Sequence, residues 1–477
     1  MKRRTPRIHF ISLGCPKNRV DSEVMVGVAQ DRGFSPTDDP DEAEVIVVNT
    51  CGFIEDAKRE SIDTILEMSE RKRQGSCQKL VVTGCLSQRY STELASELPE
   101  VDHFLGSSDM LKLGAVLTES SPRIWVGNPA DWVIAASDPR TLSTRGASAY
   151  LKIAEGCNRH CGFCVIPQIR GKQRSRSIED ISSEAEQLAA QGVLELNLVS
   201  QDTVAYGRDQ TPAGNLTSLL ERLLDVAGVD WLRLHYLYPE KIDARLFELF
   251  RQHAKLLPYV DMPLQHAAPS MLRRMLRGGS TDLRGVVDRL RQQIPGVVLR
   301  ISFIVGHPGE SEAEYQQLLD FVRWAEFDHV GVFKYSDEES CASHGLENKV
   351  DEAVSEERAE ALSEVQREIS RRKNQSRIGQ ELDVLVEGSS EESELVMVGR
   401  HAGQAPEVDG VVYLSHGPVE PGTICKARVV SATDYDLLAE AKPTAPRTRG
   451  VIGSATATAA SAAVRRRRGV VTLRTIT

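Results

Sequence analysis

The chain has 477 residues, 41% of them hydrophobic and 26% charged, with a formal net charge of −10. That balance is ordinary for a globular chain of about three domains, at the usual ~150 residues per domain. It excludes a membrane-spanning class, since no run approaches the ~18 apolar residues a bilayer helix needs, and it argues against a protein built mainly to grip nucleic acid. The charge is uneven: residues 441–477 carry eight Lys or Arg and no Asp or Glu, which leaves −18 on the rest. The basic start, Met1-Lys2-Arg3-Arg4, runs directly into an alternating strand at residues 8–13, so no signal peptide is expected. Nine cysteines in such a chain point to a reducing, cytoplasmic setting and to metal or catalytic use rather than disulfides.

Residues 6–120 read as strand–helix repeats. Ile8-His9-Phe10-Ile11-Ser12-Leu13 is a strand that runs into Gly14-Cys15, and a polar-rich helix is expected over about 21–32. Val45-Ile46-Val47-Val48-Asn49-Thr50-Cys51 opens as a continuous apolar run, as a strand covered on both faces requires. A helix over about 55–73 carries Ile62, Ile65, Leu66 and Met68 at helical spacing. Lys79-Leu80-Val81-Val82-Thr83-Gly84-Cys85 is a third strand. The alternation predicts a parallel α/β domain. Cys15, Cys51 and Cys85 each stand just past the carboxyl end of a strand. Parallel strands bring those ends to one rim, where open α/β sheets bind their ligands. One such cysteine would read as a buried small apolar residue. Three at equivalent positions, with Cys77 not following the rule, read as a three-thiol cluster site.

Residues 121–148, with Pro122, Pro129, Pro139 and Gly146, read as a linker. A second domain over 149–375 opens with the strand Ala149-Tyr150-Leu151-Lys152-Ile153-Ala154. That strand delivers the loop Gly156-Cys157-Asn158-Arg159-His160-Cys161-Gly162-Phe163-Cys164. Its C-x3-C-x2-C spacing turns three sulfurs toward one point. Three thiolates leave one iron of a four-iron cluster open, whereas an electron-transfer cluster takes four cysteines. Zinc would ask for a further Cys/His pair nearby, and none is close in sequence. Strands over 194–200, 231–237, 259–264, 297–305 and 330–335 alternate with amphipathic helices. About six βα units, fewer than the eight of a closed barrel, predict a partial (β/α)6 barrel. Such barrels bind ligands at the carboxyl ends of their strands. Those ends offer Gln201 and Asp202, Gln265 and His266, and the turn Gly306-His307-Pro308-Gly309-Glu310. Arg300 lies inside an apolar strand and needs an anion, from a ligand or from the chain itself. His160 reads as a loop residue, Gly278-Gly279 carries little signal, and Cys341 and Cys425 read as structural thiols.

A charged helix over 353–377 leads to the segment 376–440. Short strands there, such as Leu382-Asp383-Val384-Leu385-Val386 and Val411-Val412-Tyr413-Leu414, predict a small five-stranded β-barrel of the oligonucleotide-binding kind. From Ser376 to Glu440 twelve acids face four bases, a charge that favours a basic protein over RNA as the partner. Residues 441–477, with Arg465-Arg466-Arg467-Arg468, read as a disordered basic tail.

The thiol loop is the hallmark of radical S-adenosylmethionine (SAM) enzymes, and residues 6–440 resemble the radical SAM methylthiotransferases. The resemblance rests on that loop and on Ser12-Leu13-Gly14-Cys15-Pro16-Lys17-Asn18, Asn49-Thr50-Cys51-Gly52-Phe53 and Val82-Thr83-Gly84-Cys85. Leu234-His235-Tyr236-Leu237-Tyr238-Pro239, Asp261-Met262-Pro263-Leu264-Gln265-His266 and Tyr335-Ser336-Asp337-Glu338-Glu339 resemble the branch that modifies a ribosomal protein. The resemblance implies two [4Fe-4S] clusters, one on Cys15, Cys51 and Cys85 and one on Cys157, Cys161 and Cys164. It implies SAM on the open iron of the latter, with Gln201, Asp202, Gln265 and Arg300 as candidate SAM contacts, and a terminal barrel called a TRAM domain. The implied reaction cleaves SAM to a deoxyadenosyl radical, takes hydrogen from an unactivated carbon, inserts sulfur held at the other cluster and adds a methyl group from a second SAM. The implied substrate is the β-carbon of an aspartate in ribosomal protein S12, free or in the small subunit. The alternative is a transfer-RNA adenosine beside the anticodon. A reductant, a sulfur donor, a monomeric enzyme and no membrane partner are expected.

Overall fold

The computed structural model describes residues 5–442 apart from 145, 213, 239–241, 278–281, 391–392, 394–395 and 416–418. In the first domain Arg7–Ser12 (β1), Ser35–Pro36 (β2), Val45–Thr50 (β3), Lys79–Gly84 (β4), His103–Leu105 (β5) and Ile124–Trp125 (β6) form one parallel sheet in the order β2-β1-β3-β4-β5-β6. β3 is buried along its whole length. Its Val47 packs with helix Pro16–Asp31 (α1) on one face, and its Ile46 and Val48 pack with Glu55–Gln74 (α2) and Cys85–Glu97 (α3) on the other. α1 starts at Pro16, earlier than the sequence pattern predicts, because proline at the first helical position lacks only an N–H that would have no partner there. Its polar residues from Lys17 to Glu23 are buried rather than solvated, since the helix lies between its own sheet and the second domain. Residues 121–148 are no loose tether. They add β6 to the sheet edge, bury Ile134 in the core, and place half-buried Arg140 2.7 Å from Glu23 and 2.5 Å from Glu184.

The second domain pairs Ser148–Lys152 (β7) with later strands, while Ala154–Glu155 (β8) and Arg174–Ser175 (β9) form a separate antiparallel pair. Glu195–Val199 (β10), Trp231–Leu234 (β11), Leu256–Gln265 (β12), Val298–Val305 (β13) and His329–Lys334 (β14) complete a six-stranded parallel sheet in the order β14-β13-β12-β11-β10-β7. This is the partial (β/α)6 barrel. The helices outside it are started by side-chain caps: Ser177, Asn215, Asp243 and Asp282 each accept a backbone N–H, and Ser311 and Glu314 form a capping box. Leu196, Leu198, Leu232, Leu234, Leu299 and Ile301 pack against those helices. The alternate residues of the same strands face inward, and Glu195, Asn197, Arg233, Asp261 and Arg300 among them are polar.

Glu381–Ser389 (β15), Met397–His401 (β16), Val412–Ser415 (β17), Ile424–Ala432 (β18) and Leu437–Ala441 (β19) close a barrel in the order β15-β16-β17-β19-β18. Its segment 400–409 seats on the amino end of the six-stranded sheet. Buried Arg400 lies 2.6 Å from Glu195, whose other oxygen is 2.9 Å from Arg233. The Tyr259 hydroxyl donates to Asp409 at 2.7 Å, and Arg19 of the first domain lies 2.8 Å from Glu407. Among the described residues no helix is long and apolar enough to cross a membrane. The tail beyond residue 442, Gly278-Gly279, Pro239 and the acids Glu391, Glu392 and Glu394 lie outside the described residues.

The seat of the C-terminal barrel makes an acid-sensitive prediction. Burial pushes the Glu195 carboxyl up, but Arg400 and Arg233 outweigh it and hold the group down to about 2 from its ordinary 4.5. A folded value below the unfolded one means that the contribution is complete above about 4.5 and is lost as the pH falls toward 2. Arg400→Met should lower stability by about 3 kcal/mol and move the onset of acid unfolding to higher pH, read by circular dichroism against pH and temperature.

Candidate active site

The three strand ends of the first domain meet as their parallel order requires. Cys15 caps α1, Cys51 follows β3 directly, and Cys85 opens α3. Two glycines permit the approach. Gly14 has φ +83, and a Cβ there would stand 2.8 Å from the Cβ of Cys51. Gly84 has φ +95, and a Cβ there would stand 2.6 Å from the Thr50 carbonyl oxygen. Asn18 ties the turns together by donating from Nδ2 to the carbonyls of Leu13 and Thr50, each at 3.0 Å. Burial, then the proximity of Cys85 and Cys15, pushes the Cys51 thiol up to about 12. A thiol so placed gives up its proton only to a strongly cationic centre.

In the second domain the Cys157 loop is pinned by backbone bonds. Cys157 N donates to Gly171 O at 3.1 Å, Gly162 N donates to Met275 O at 2.8 Å, and Gly162 O accepts from Ser343 N at 2.7 Å. Cys157 is buried, and Cys161 and Cys164 are half-buried. Burial, then Cys161 and Cys157, pushes the Cys164 thiol up to about 12. Two guanidinium groups flank the loop, neither of them assigned a role from the sequence. That of Arg159 stands 3.4 Å from the Tyr238 ring centre and donates to Asp202 Oδ2 at 2.6 Å. That of Arg277 stands 4.0 Å from the same ring and reaches Cys161 Sγ at 3.7 Å. Arg159 is legible from its place inside the loop. Arg277 lies 116 residues from Cys161 and left no signal.

The four candidate SAM contacts fall in two places. Gln201 donates from Nε2 to Glu155 at 2.6 Å, and its Oε1 is buried without a partner. Asp202 Oδ1 and Gln173 Nε2 are likewise buried and unpartnered, and Gln173 adjoins the loop through its backbone bond to Asn158. Unpartnered buried polar atoms are rare and costly; three around one loop fit the hydroxyl, amino and carboxylate groups of a polar ligand such as SAM. Gln265 ends β12 with φ +75, at the carboxyl rim. Arg300 lies near the amino end of β13, 3.2 Å from Asp261 and 3.4 Å from Asp409. Of the two kinds of anion its strand position admits, the structure supplies the chain's own carboxylates. His160 is exposed. Cys77 and Cys425 are buried in the first and third cores.

Between the two triplets lies a buried charged network. Lys152 Nζ is 2.5 Å from Asp21 and 2.7 Å from Glu155. Arg170 Nη1 is 2.7 Å from Asp21 and 3.4 Å from Glu155, and its Nη2 donates to Asn18 and, at 3.4 Å, to Cys85 Sγ. Burial alone would raise the Glu155 carboxyl, but Lys152 and Arg170 hold it well below the usual carboxylate range. The network touches Cys85 at one end and Gln201 at the other. Val165 and Ile169, just past Cys164, pack with Cys85, Phe53 and buried Cys341, so the triplets share one apolar wall. Among the described residues no group of three His, Cys, Asp or Glu is drawn up around a single metal ion. Cluster thiolates sit on different irons and need no such convergence. Two sets of three cysteines, none in a disulfide, buried or half-buried beside guanidinium groups, suit [4Fe-4S] clusters.

Comparison with known proteins agrees with this division. Residues 7–106 match the Uncharacterized protein family UPF0004, residues 151–322 the Radical SAM superfamily and residues 378–441 the TRAM domain. Over 441 residues the chain is 61% identical to the ribosomal protein uS12 methylthiotransferase RimO of Sorangium cellulosum (strain So ce56), covering 91% of this chain and 90% of that protein. The chain belongs to the RimO family. The RimO of Myxococcus xanthus (strain DK1622) is 48% identical, with 92% of each chain covered. RimO-family membership makes the chain a radical SAM methylthiotransferase, with SAM and [4Fe-4S] chemistry. The radical SAM methyltransferase TsrM of Kitasatospora setae shares the fold at a TM-score of 0.51 and 17% identity, over 69% of this chain and 75% of its own.

Arg170→Met would leave Asp21 and Glu155 buried with Lys152 alone, a loss of about 3–5 kcal/mol. Hydrogen exchange should then quicken in α1 and in the Cys157 loop together. Loss of protection in α1 alone would contradict a shared network.

Proposed function

We propose that this chain methylthiolates the β-carbon of an aspartate in ribosomal protein uS12. The observation that carries the reading is two thiol triplets on either side of one buried network, in a chain 61% identical to a uS12 methylthiotransferase. Cys157, Cys161 and Cys164 would hold one [4Fe-4S] cluster, and Cys15, Cys51 and Cys85 a second. When bound, the clusters and SAM supply hydrogen abstraction from an unactivated carbon and a place for sulfur.

The chain's own residues hold the parts in place. Arg159 and Arg277 set positive charge beside the Cys157 loop, where it would offset the negative charge of three cluster thiolates. Gln201 Oε1 and Asp202 Oδ1 are acceptors for SAM donors. Glu155 fixes the first and Arg159 the second before any ligand arrives. Gln265, on the same rim, is the third contact. Phe163, Met271, Met275 and Ile304 pack as an apolar wall that shields one side from water. A reductant and a sulfur donor must come from outside the chain.

The acidic C-terminal barrel supports a protein substrate over RNA. Glu387, Glu407, Asp409 and Arg400 are engaged in ion pairs that seat the barrel. Nine acids and three bases remain between Ser376 and Glu440. RNA binding draws most of its affinity from Lys and Arg on phosphate, whereas an acidic face attracts a basic ribosomal protein.

Anaerobically purified protein should hold about eight irons. Replacing Cys157, Cys161 and Cys164 together by Ala should leave about half and abolish deoxyadenosine formation. Replacing Cys15, Cys51 and Cys85 should also leave about half, keep some SAM cleavage and give no methylthio product. Full iron retention in either triple variant would remove those thiols from the cluster assignment.

The substrate is tested by incubating the reduced holoenzyme and SAM with purified uS12 or with transfer RNA. Mass spectrometry should find a methylthiolated aspartate in uS12 and an unchanged transfer RNA. A methylthiolated adenosine instead would assign the chain to RNA modification.

A further inference from the structure

We propose that Lys17 binds the side-chain carboxylate of the aspartate being modified, an inference that rests on the uS12 reading. Lys17 lies in the first turn of α1, two residues past Cys15, and is 7% exposed. Its Nζ stands 3.6 Å from the centre of the Tyr236 ring, just beyond the carboxyl end of β11 in the second domain. The ammonium therefore crosses from the rim that carries Cys15 to the mouth of the barrel that carries the Cys157 loop. Tyr236 holds φ +57, a left-handed conformation that costs a bulky residue energy and recurs at functional sites.

What sets Lys17 apart among the described residues is the lack of a carboxylate partner: its neighbours are the Tyr236 side chain and Cys15. Of the nine buried lysines and arginines among the described residues, seven lie within 4.0 Å of a carboxylate. Arg277 is engaged by the Tyr238 hydroxyl, the Pro263 carbonyl and Cys161. Lys17 meets an aromatic face, and the nearby Glu155 is already taken by Lys152, Arg170 and Gln201. A buried ammonium is stable when an anion reaches it. The β-carbon of an aspartate is one bond from its carboxylate, so holding the carboxylate at Lys17 fixes that carbon between the two thiol triplets. The same cation rejects a neutral amide or a nucleobase, which brings no charge to pair with it.

The test is equilibrium binding of the anaerobic full-length holoenzyme to uS12 and to uS12 in which asparagine replaces the modified aspartate. Wild-type enzyme should bind the acid form about 10- to 100-fold tighter. Lys17→Met should bind both forms as weakly as the wild type binds the amide, while Lys17→Arg should keep the preference, the two variants being compared at equal iron content. An undiminished preference in Lys17→Met, or no preference in the wild type, overturns the proposal. If uS12 is methylthiolated and Lys17→Met still discriminates, the role of Lys17 alone fails. If the wild type neither binds nor modifies uS12, the substrate reading fails and takes this proposal with it. The comparison of the two uS12 forms on unaltered enzyme stands even if a variant misfolds.

Discussion

Arg170 reaches from the second domain into the first, where its guanidinium meets Asp21, Asn18 and the sulfur of Cys85, while Lys152 and Glu155 close the circuit behind it. In a water-poor interior a charge is tolerated only while its partners stay in place. The two domains therefore cannot slide or rotate past each other without exposing an uncompensated ion. That constraint sets the spacing of the two thiol triplets, which no loop or linker could do as firmly. It also explains the burial of α1, whose polar residues make up much of the joint.

The parts that were legible in the sequence were those carried by local pattern. The strand–helix alternation, the cysteine after each of three strands, the C-x3-C-x2-C loop and the acidic terminal barrel each occupy a short window. The joint was not legible, because Lys152 meets Asp21 across 131 residues and Arg170 meets Asn18 across 152. The polar residues of α1 showed no sign of their burial for the same reason: their partners lie on another domain. Prolines made residues 121–148 look slack, yet Arg140 in that stretch is anchored by two carboxylates from different domains. Arg300 shows the converse. The sequence demanded an anion for it, and the chain supplies Asp261 and Asp409.

The six-stranded sheet departs from a closed eight-stranded barrel in what fills it. There, bulky apolar residues pack the interior. Here Glu195 with Arg233, and Asn197 with His235, Asp261 and Arg300, form a polar column of two hydrogen-bonded groups, and the apolar residues face the helices. Such a column is stable only if both ends are satisfied. Arg400 and Asp409 answer the amino end, and the carboxyl end is left for ligands.

Arg400 lies 205 residues beyond Glu195. A ribosome making this chain therefore releases the central sheet with Glu195 still without Arg400 and Arg300 without Asp409. Domains that emerge early tend to fold early, but this one has to wait for the last strands to leave the exit tunnel. The first domain, with its sheet complete by Trp125 apart from the joint, meets no such delay. A chain stopped before residue 400 thus carries all six cysteines of the two triplets and an unfinished barrel floor, so completed translation is itself a condition for an ordered site.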